Sequence, residues 1–110
     1  LTVTIAGSNN NNGSVALSGA ALTAQSAIAA DLVGSVSPGD LFQNGDGNSL
    51  SVSITGSTNS FEMYQHGNGN SITHTSSGGA SNQAVIAQIG NSNSSVTTQT
   101  GSFNIVGVTQ

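Results

Sequence analysis

The run QNGDGNSLSVSITGSTNSFEMYQHGNGN, residues 43–70, decides the fold. It carries Gly-x-x-Asn at Gly45/Asn48, Gly56/Asn59 and Gly67/Asn70, and the glycines are 11 residues apart. Between them the chain alternates. Asn48, Leu50, Val52 and Ile54 fall on one side, with Ser49, Ser51 and Ser53 on the other. Asn59, Phe61, Met63 and Gln65 repeat that phase. A period of two is the mark of extended strand, because successive side chains of a strand point to opposite faces. The regular glycines and the wealth of Ser, Thr and Asn argue further against helix.

The same string returns downstream at Gly79/Asn82, Gly90/Asn93 and Gly101/Asn104. Gln stands two residues before the glycine at Gln43, Gln65, Gln88 and Gln99, and Gln110 holds the same place in its unit. The unit is Asn-x-Φ-x-Φ-x-Gln-x-Gly-x-x, with Φ apolar. Upstream it continues in degraded form, as Ser37 to Gly45, Ser26 to Gly34, Asn11 to Gly19 and Leu1 to Gly7. The count is ten strand units in a single domain of 110 residues, with 1–36 degenerate and 37–110 clear.

Most links between units are two residues long, which allows either a hairpin meander or a solenoid. A meander needs φ > 0 in its turns, which suits Asp46-Gly47 and Asn68-Gly69 but not Ser57-Thr58 or Ser102-Phe103. In a solenoid each pair of strands makes one coil, and like positions stack every 22 residues or so. The turn glycines Gly34, Gly45, Gly56, Gly67, Gly78, Gly90 and Gly101 would then permit the corners. Stacking also gives inward amides a partner. Asn59, Asn82 and Asn104 would form one column, and Asn48, Asn70 and Asn93 another. Gln65, Gln88 and Gln110 would form a third, with Gln43 and Gln99 at the same place in their units. Each amide NH₂ would donate to the amide carbonyl one coil away, ~4.8 Å along the stack, offsetting the cost of burying it. The expectation is an all-β, cross-β solenoid of five two-strand coils with two facing parallel sheets. Both ends run straight into strand without a cap. An uncapped sheet edge is a template for another copy, so end-to-end association into a fibril is expected.

Composition narrows the function. Ser, Thr, Asn, Gln and Gly make up 65 of the 110 residues; there is no Lys or Arg, and net charge is −4. Without a cation the chain has no means to neutralise phosphates, which excludes nucleic acid as a partner and argues against anionic membranes. Cysteine is absent, so disulfide frameworks and thiolate metal sites are excluded. No apolar run reaches the ~18 residues of a membrane span, so no membrane insertion is expected. The start at Leu1 reads as a processed or trimmed product. Disorder fits poorly, since disordered chains pair low hydrophobicity with high net charge.

The motif Gln-x-Gly-x-x-Asn stands here as QNGDGN (43–48), QHGNGN (65–70), QIGNSN (88–93) and QTGSFN (99–104). On these residues the chain resembles the curlin family, the major subunits of curli, which are bacterial extracellular amyloid fibres. Ile54 and Ser76 replace the Gln of the family pattern, and Leu50 and Ile72 stand where the family often has Ala. The resemblance implies an extracellular fibre on the bacterial cell surface, a homopolymer serving biofilm matrix, adhesion and surface colonisation. It also implies a nucleator subunit and a dedicated secretion pore as partners.

Other readings are weaker. Asp31, Asp40, Asp46 and Glu62 never pair at catalytic spacing, and two-strand coils make no cleft, so no enzyme and no cofactor is expected. By phase Asp40 and Glu62 point outward, where charge would slow premature association. His66 falls in a turn and His74 inward; two histidines without cysteine make a poor metal site. Asp46-Gly47-Asn48 has the look of a calcium-binding nonapeptide turn, but the other turns lack the Asp. The outward hydroxyls, among them Ser51, Thr73 and Thr98, would form a flat face. That leaves an ice-binding solenoid, or a fragment of a larger β-helical adhesin, as alternatives.

Overall fold

The computed structural model describes residues 1–7, 10, 17–31 and 39–110. These hold eight strands and one helix. The strands are β1 (Thr2–Ala6), β2 (Leu41–Asn44), β3 (Ser49–Thr55), β4 (Ser60–His66), β5 (Ser71–Ser77), β6 (Gln83–Ile89), β7 (Ser94–Thr100) and β8 (Ile105–Thr109); the helix is α1 (Gly19–Asp31). The strands form two sheets in the orders β1-β3-β5-β7 and β2-β4-β6-β8, and every pairing is parallel. Parallel pairing between alternate strands excludes the meander. The molecule is a β-solenoid of about three turns, β3–β4, β5–β6 and β7–β8, beneath a layer made by β1 and β2.

The register keeps like on like. Leu50 lies beside Ile72, and Val52 beside His74. In the other sheet Met63 lies beside Ile86, and Gln65 beside Gln88. The inward faces meet in one apolar core of Leu50, Val52, Ile54, Phe61, Met63, Ile72, Ala84 and Ile86. Burial of these side chains contributes roughly 1.5–3 kcal/mol for each of the larger ones. It holds the two sheets together while backbone bonds hold the coils.

Five coils do not form. The unit read as a strand over Ser26 to Gly34 is helical through Asp31. The rest of that unit, Gly34 included, and most of the unit from Asn11 to Gly19 lie outside the described residues. The physical reason is legible in α1. Six of its 13 residues are Ala, the strongest helix former, and no Gly interrupts it after Gly19. Ala21, Ala24 and Ile28, spaced as one helix face, are buried. That spacing prevails over the period-two phase of Ser26, Ile28 and Ala30.

The helix is an excursion at one corner of the top layer. β1 pairs with β3, and β2 pairs with β4. Between them the chain leaves the layer after Asn10 and returns at Gly39, whose N–H donates to the Phe61 carbonyl at 2.7 Å. Met63 N–H donates to the Asp40 carbonyl at 3.0 Å. α1 packs back across the outer faces of β6 and β8.

The turns correct one step of the argument for the solenoid. Thr58 and Phe103 do adopt φ > 0, at 58° and 61°, as do Ser81 and Ser92 at 60°. The second residue of each link takes the left-handed conformation whether or not it is glycine, a cost of about 1–2 kcal/mol for each non-glycine. Stacking, not local preference, fixes these turns.

Candidate functional site

Two features outlast the description of packing: the polar columns along the solenoid and the face covered by α1. The glutamine column is continuous. Gln43 Nε2 donates to Gln65 Oε1 at 2.7 Å, Gln65 Nε2 to Gln88 Oε1 at 2.9 Å, and Gln88 Nε2 to Gln110 Oε1 at 2.9 Å. The second hydrogen of each lower amide goes to a backbone carbonyl, of Ser49, Ser71 and Ser94 in turn. Gln65 and Gln88 are fully buried and fully satisfied as donors. The row runs one way, with Gln43 at its acceptor end and Gln110 at its donor end.

The asparagine columns align as expected but bond differently. Asn70 N–H donates to Asn48 Oδ1 and Asn93 N–H to Asn70 Oδ1, at 2.9 and 3.0 Å. Asn82 N–H donates to Asn59 Oδ1 and Asn104 N–H to Asn82 Oδ1. The side-chain Nδ2 groups of Asn48, Asn70 and Asn82 donate to the carbonyls of Gly67, Gly90 and Gly101, all at 2.8 Å. Amide-to-amide bonding occurs within these columns at Asn104, whose Nδ2 also reaches Asn82 Oδ1. The shorter side chain reaches the corner backbone, and so Asn48, Asn70 and Asn82 each serve as a bracket between a strand start and the next corner.

One column member escaped the sequence reading. Asn10 Oδ1 accepts from both the N–H and the Nδ2 of Asn59, at 3.0 and 3.1 Å. It heads the column of Asn59, Asn82 and Asn104. The signal was present, since Gly7 and Asn10 are one more Gly-x-x-Asn. Gln99, by contrast, joins no ladder. Its neighbour in β5 is Ser76, its Nε2 donates to the Gln83 carbonyl at 2.9 Å, and its buried Oε1 has no partner among the described residues.

The corner glycines stack in two files. A side chain on Gly45 would overlap the Gly67 carbonyl, and one on Gly67 the Gly90 carbonyl. Gly7, Gly56, Gly79 and Gly101 stand in the same relation. Gly79 takes the place assigned to Gly78, because the added residue at this turn shifts the corner by one. Gly78 faces open space.

The outer face of the second sheet is not free. Ala21, Ala24 and Ile28 of α1 pack on Tyr64, Val85 and Ala87, with Phe42 and Ile89 at the margin. Gly107 lies directly under the helix; a side chain there would overlap the Ala20 carbonyl. Phe42 and Tyr64 stack with ring centroids 4.9 Å apart. Glu62, expected in solvent, points away from the core but is buried beside α1, with 1% of its surface exposed. Gln25 Nε2 donates to Glu62 Oε2 at 3.0 Å. Burial pushes the Glu62 carboxyl up to about 7, with the nearby Asp40 charge acting in the same sense. At the helix C-terminus Asp31 Oδ2 accepts from the Tyr64 hydroxyl at 2.6 Å and lies 2.7 Å from His66 Nδ1. These bonds, the Tyr64 one foremost, hold the Asp31 carboxyl below its usual value.

The opposite face is the hydroxyl surface. Thr2, Ser51, Thr73 and Val96 lie in one rank, and Thr4, Ser53, Thr75 and Thr98 in the next. Val96, 75% exposed, breaks the first rank. Ala27, Ala29 and Asp31, which a strand over Ser26 to Gly34 would turn to this face, are in α1 instead.

His74 lies in the core with 1% exposure. Its Nδ1 is 2.7 Å from Thr97 Oγ1, and its Nε2 has no partner among the described residues. Burial lowers its pKa to about 4. The neutral ring is therefore favoured in the fold, and the unfolded chain takes up the proton first as pH falls. Stability should drop between pH ~6.5 and ~4 by up to about 3 kcal/mol and level off below. Urea unfolding of wild type and His74→Leu across this range checks it. Wild type should lose stability relative to His74→Leu steadily as pH falls, whichever of the two is the more stable at neutral pH, and a constant difference would refute the assignment.

Among the described residues no group of three or more His, Asp or Glu gathers as metal ligands, and no helix is long and apolar enough to cross a membrane. Comparison of the chain with family models, curated proteins and solved structures finds no match.

Proposed function

We propose that this protein is the structural subunit of a self-assembling extracellular fibre of the curli type, joined end to end through its open strands. The observation that carries the reading is the direction of the glutamine row. Each Nε2 donates to the next Oε1, from Gln43 to Gln110. A one-way row is continued when Gln110 of one copy donates to Gln43 of the next. In that joint β8 lies on β2, and Val108 meets Leu41 in the phase that Ile86 and Met63 already share with them. Among the described residues β1 and β2 at one end, and β7 and β8 at the other, have no further strand beside them. The likeness to curlins, resting on the four in-phase Gln-x-Gly-x-x-Asn motifs, supports placement on the bacterial surface as a biofilm and adhesion component. A nucleator and a secretion pore follow from that likeness alone. The proposed role is mechanical and includes no catalytic step.

The test uses Gly90, whose added side chain finds only Asn93 Nδ2, at 3.7 Å, within one molecule. In a joined pair the same side chain would meet the Gly45 carbonyl of the next copy. Wild type should give thioflavin-positive fibres with reflections near ~4.8 and ~10 Å. Gly90→Ala also strains the folded chain, since φ is 119° there, so urea unfolding must show that it stays folded; folded, it should slow elongation at least tenfold, while Ser94→Ala on the hydroxyl face grows at the wild-type rate. A wild-type chain that stays monomeric at high concentration rejects the fibre.

A further inference from the structure

We infer that α1 is held over the second sheet by a proton-dependent latch, in which Glu62 in its neutral form is the group that permits docking. The inference stands on geometry independent of any fibre. Glu62 is the one side-chain carboxyl of the four that is buried, on the outward side of β4, where Gln25 of α1 reaches it. One oxygen has a single neutral donor, Gln25 Nε2, and the other, Oε1, has no hydrogen-bond partner among the described residues. A carboxylate in such a place has lost its water and gained half of the bonds it needs, whereas a carboxylic acid needs fewer.

The surroundings supply no compensation. The chain has no Lys or Arg. From the layer above, Asp40 adds a like charge. The remaining ionisable groups on this face are Tyr64 and His66 of β4 and Asp31 of α1, and Asp31 Oδ2 is the shared partner of the other two. β6 and β8 contribute Val85, Ala87 and Gly107 under the helix, none of which ionises. Ionised Glu62 therefore has one route to stabilisation, which is water, and water reaches it only when α1 lifts.

The helix is suited to lift. It has 13 residues, short for independent stability. Its C-terminus ends on the acidic Asp31, the wrong sign for a helix dipole. Its hold on the sheet is a small apolar patch, with Ser18, Gln25 and Asp31 as polar contacts. Below pH ~5 the latch is closed. As pH rises through 7 it opens and exposes Val85, Ala87 and the stacked rings of Tyr64 and Phe42.

Hydrogen exchange of the α1 amides, with dye binding to exposed apolar surface, reads the latch on the intact chain. Exchange from Ala21 to Ile28, corrected for the intrinsic effect of pH, should quicken at least tenfold between pH 5 and 8, while β5 and β6 stay protected. Glu62→Gln should keep α1 protected at pH 8, since the amide never ionises. Gln25→Lys should do the same by a different route, pairing a cation with the ionised carboxylate. Protection of α1 that does not change with pH in the wild type overturns the inference. So does an opening that survives in Glu62→Gln, which would place the switch at Asp31 and His66. A variant that loses protection in β5 and β6 as well has unfolded globally, and Gln25→Lys then decides alone.

Discussion

Gly67→Ala should destabilise the fold by about 4 kcal/mol or more, a large part of the 5–15 kcal/mol that holds an ordinary domain together. Gly67 has φ of 120°, a region that L side chains rarely adopt, and leaving it in place costs about 1–3 kcal/mol. Strain is the smaller share. The new methyl would overlap the Gly90 carbonyl, which is backbone of the next coil and cannot rotate away. The coils must separate locally, and the bonds Gly90 N–H to His66 carbonyl and Asn70 Nδ2 to Gly90 carbonyl both lie at that point. Gly78→Ala is the control: φ is 65°, the surroundings are open, and about 1 kcal/mol is expected. Urea midpoints for the two variants decide the matter. Equal shifts would mean that corner stacking does not set the coil spacing.

Asn82→Ala should cost about 3–4 kcal/mol. Its Oδ1 accepts from the Asn104 N–H at 2.9 Å and the Asn104 Nδ2 at 3.0 Å, and its Nδ2 donates to the Gly101 carbonyl at 2.8 Å. Alanine leaves the half-buried Asn104 N–H and Gly101 carbonyl without these partners, at about 1–3 kcal/mol for each group that water does not reach. Asn68 also bridges two coils, its Oδ1 accepting from the Asp46 N–H and its own N–H donating to Asn91 Oδ1, but it lies exposed in a turn. Water replaces it there, and Asn68→Ala should cost less than about 1 kcal/mol. Thermal and urea unfolding of both variants checks the contrast. A similar loss from each would show that burial of the bracket does not matter.

From Leu41 onward the strands, their inward phase and the glutamine column could be read from residue spacing, because one period of two and one repeat of eleven agree there. Upstream two patterns compete. Over residues 26–31 the alternation of Ser26, Ile28 and Ala30 favours strand, while alanine content and the spacing of Ala21, Ala24 and Ile28 favour helix. A flat outer face of Val85, Ala87 and Gly107 gives that helix a seat. Single-strand periodicity carries no information about such a seat, and for the same reason it could not reveal that Glu62 is covered. The column at Asn10 was missed because the degenerate units were phased on Asn11. The bonding of Asn48, Asn70 and Asn82 was not legible, because spacing does not say whether an amide NH₂ turns to its twin, as in Asn59 and Asn104, or to the corner carbonyl.

The corner where the chain departs after Asn10 and rejoins at Gly39 has a practical consequence. β1 and β2 keep register with β3 and β4 beneath them although α1 stands between them in the chain, so the stack does not require a short link at this corner. A foreign peptide grafted there would ride on the outside of the molecule. In an end-to-end polymer of four-layer subunits it would recur every ~19 Å, at four times the strand spacing.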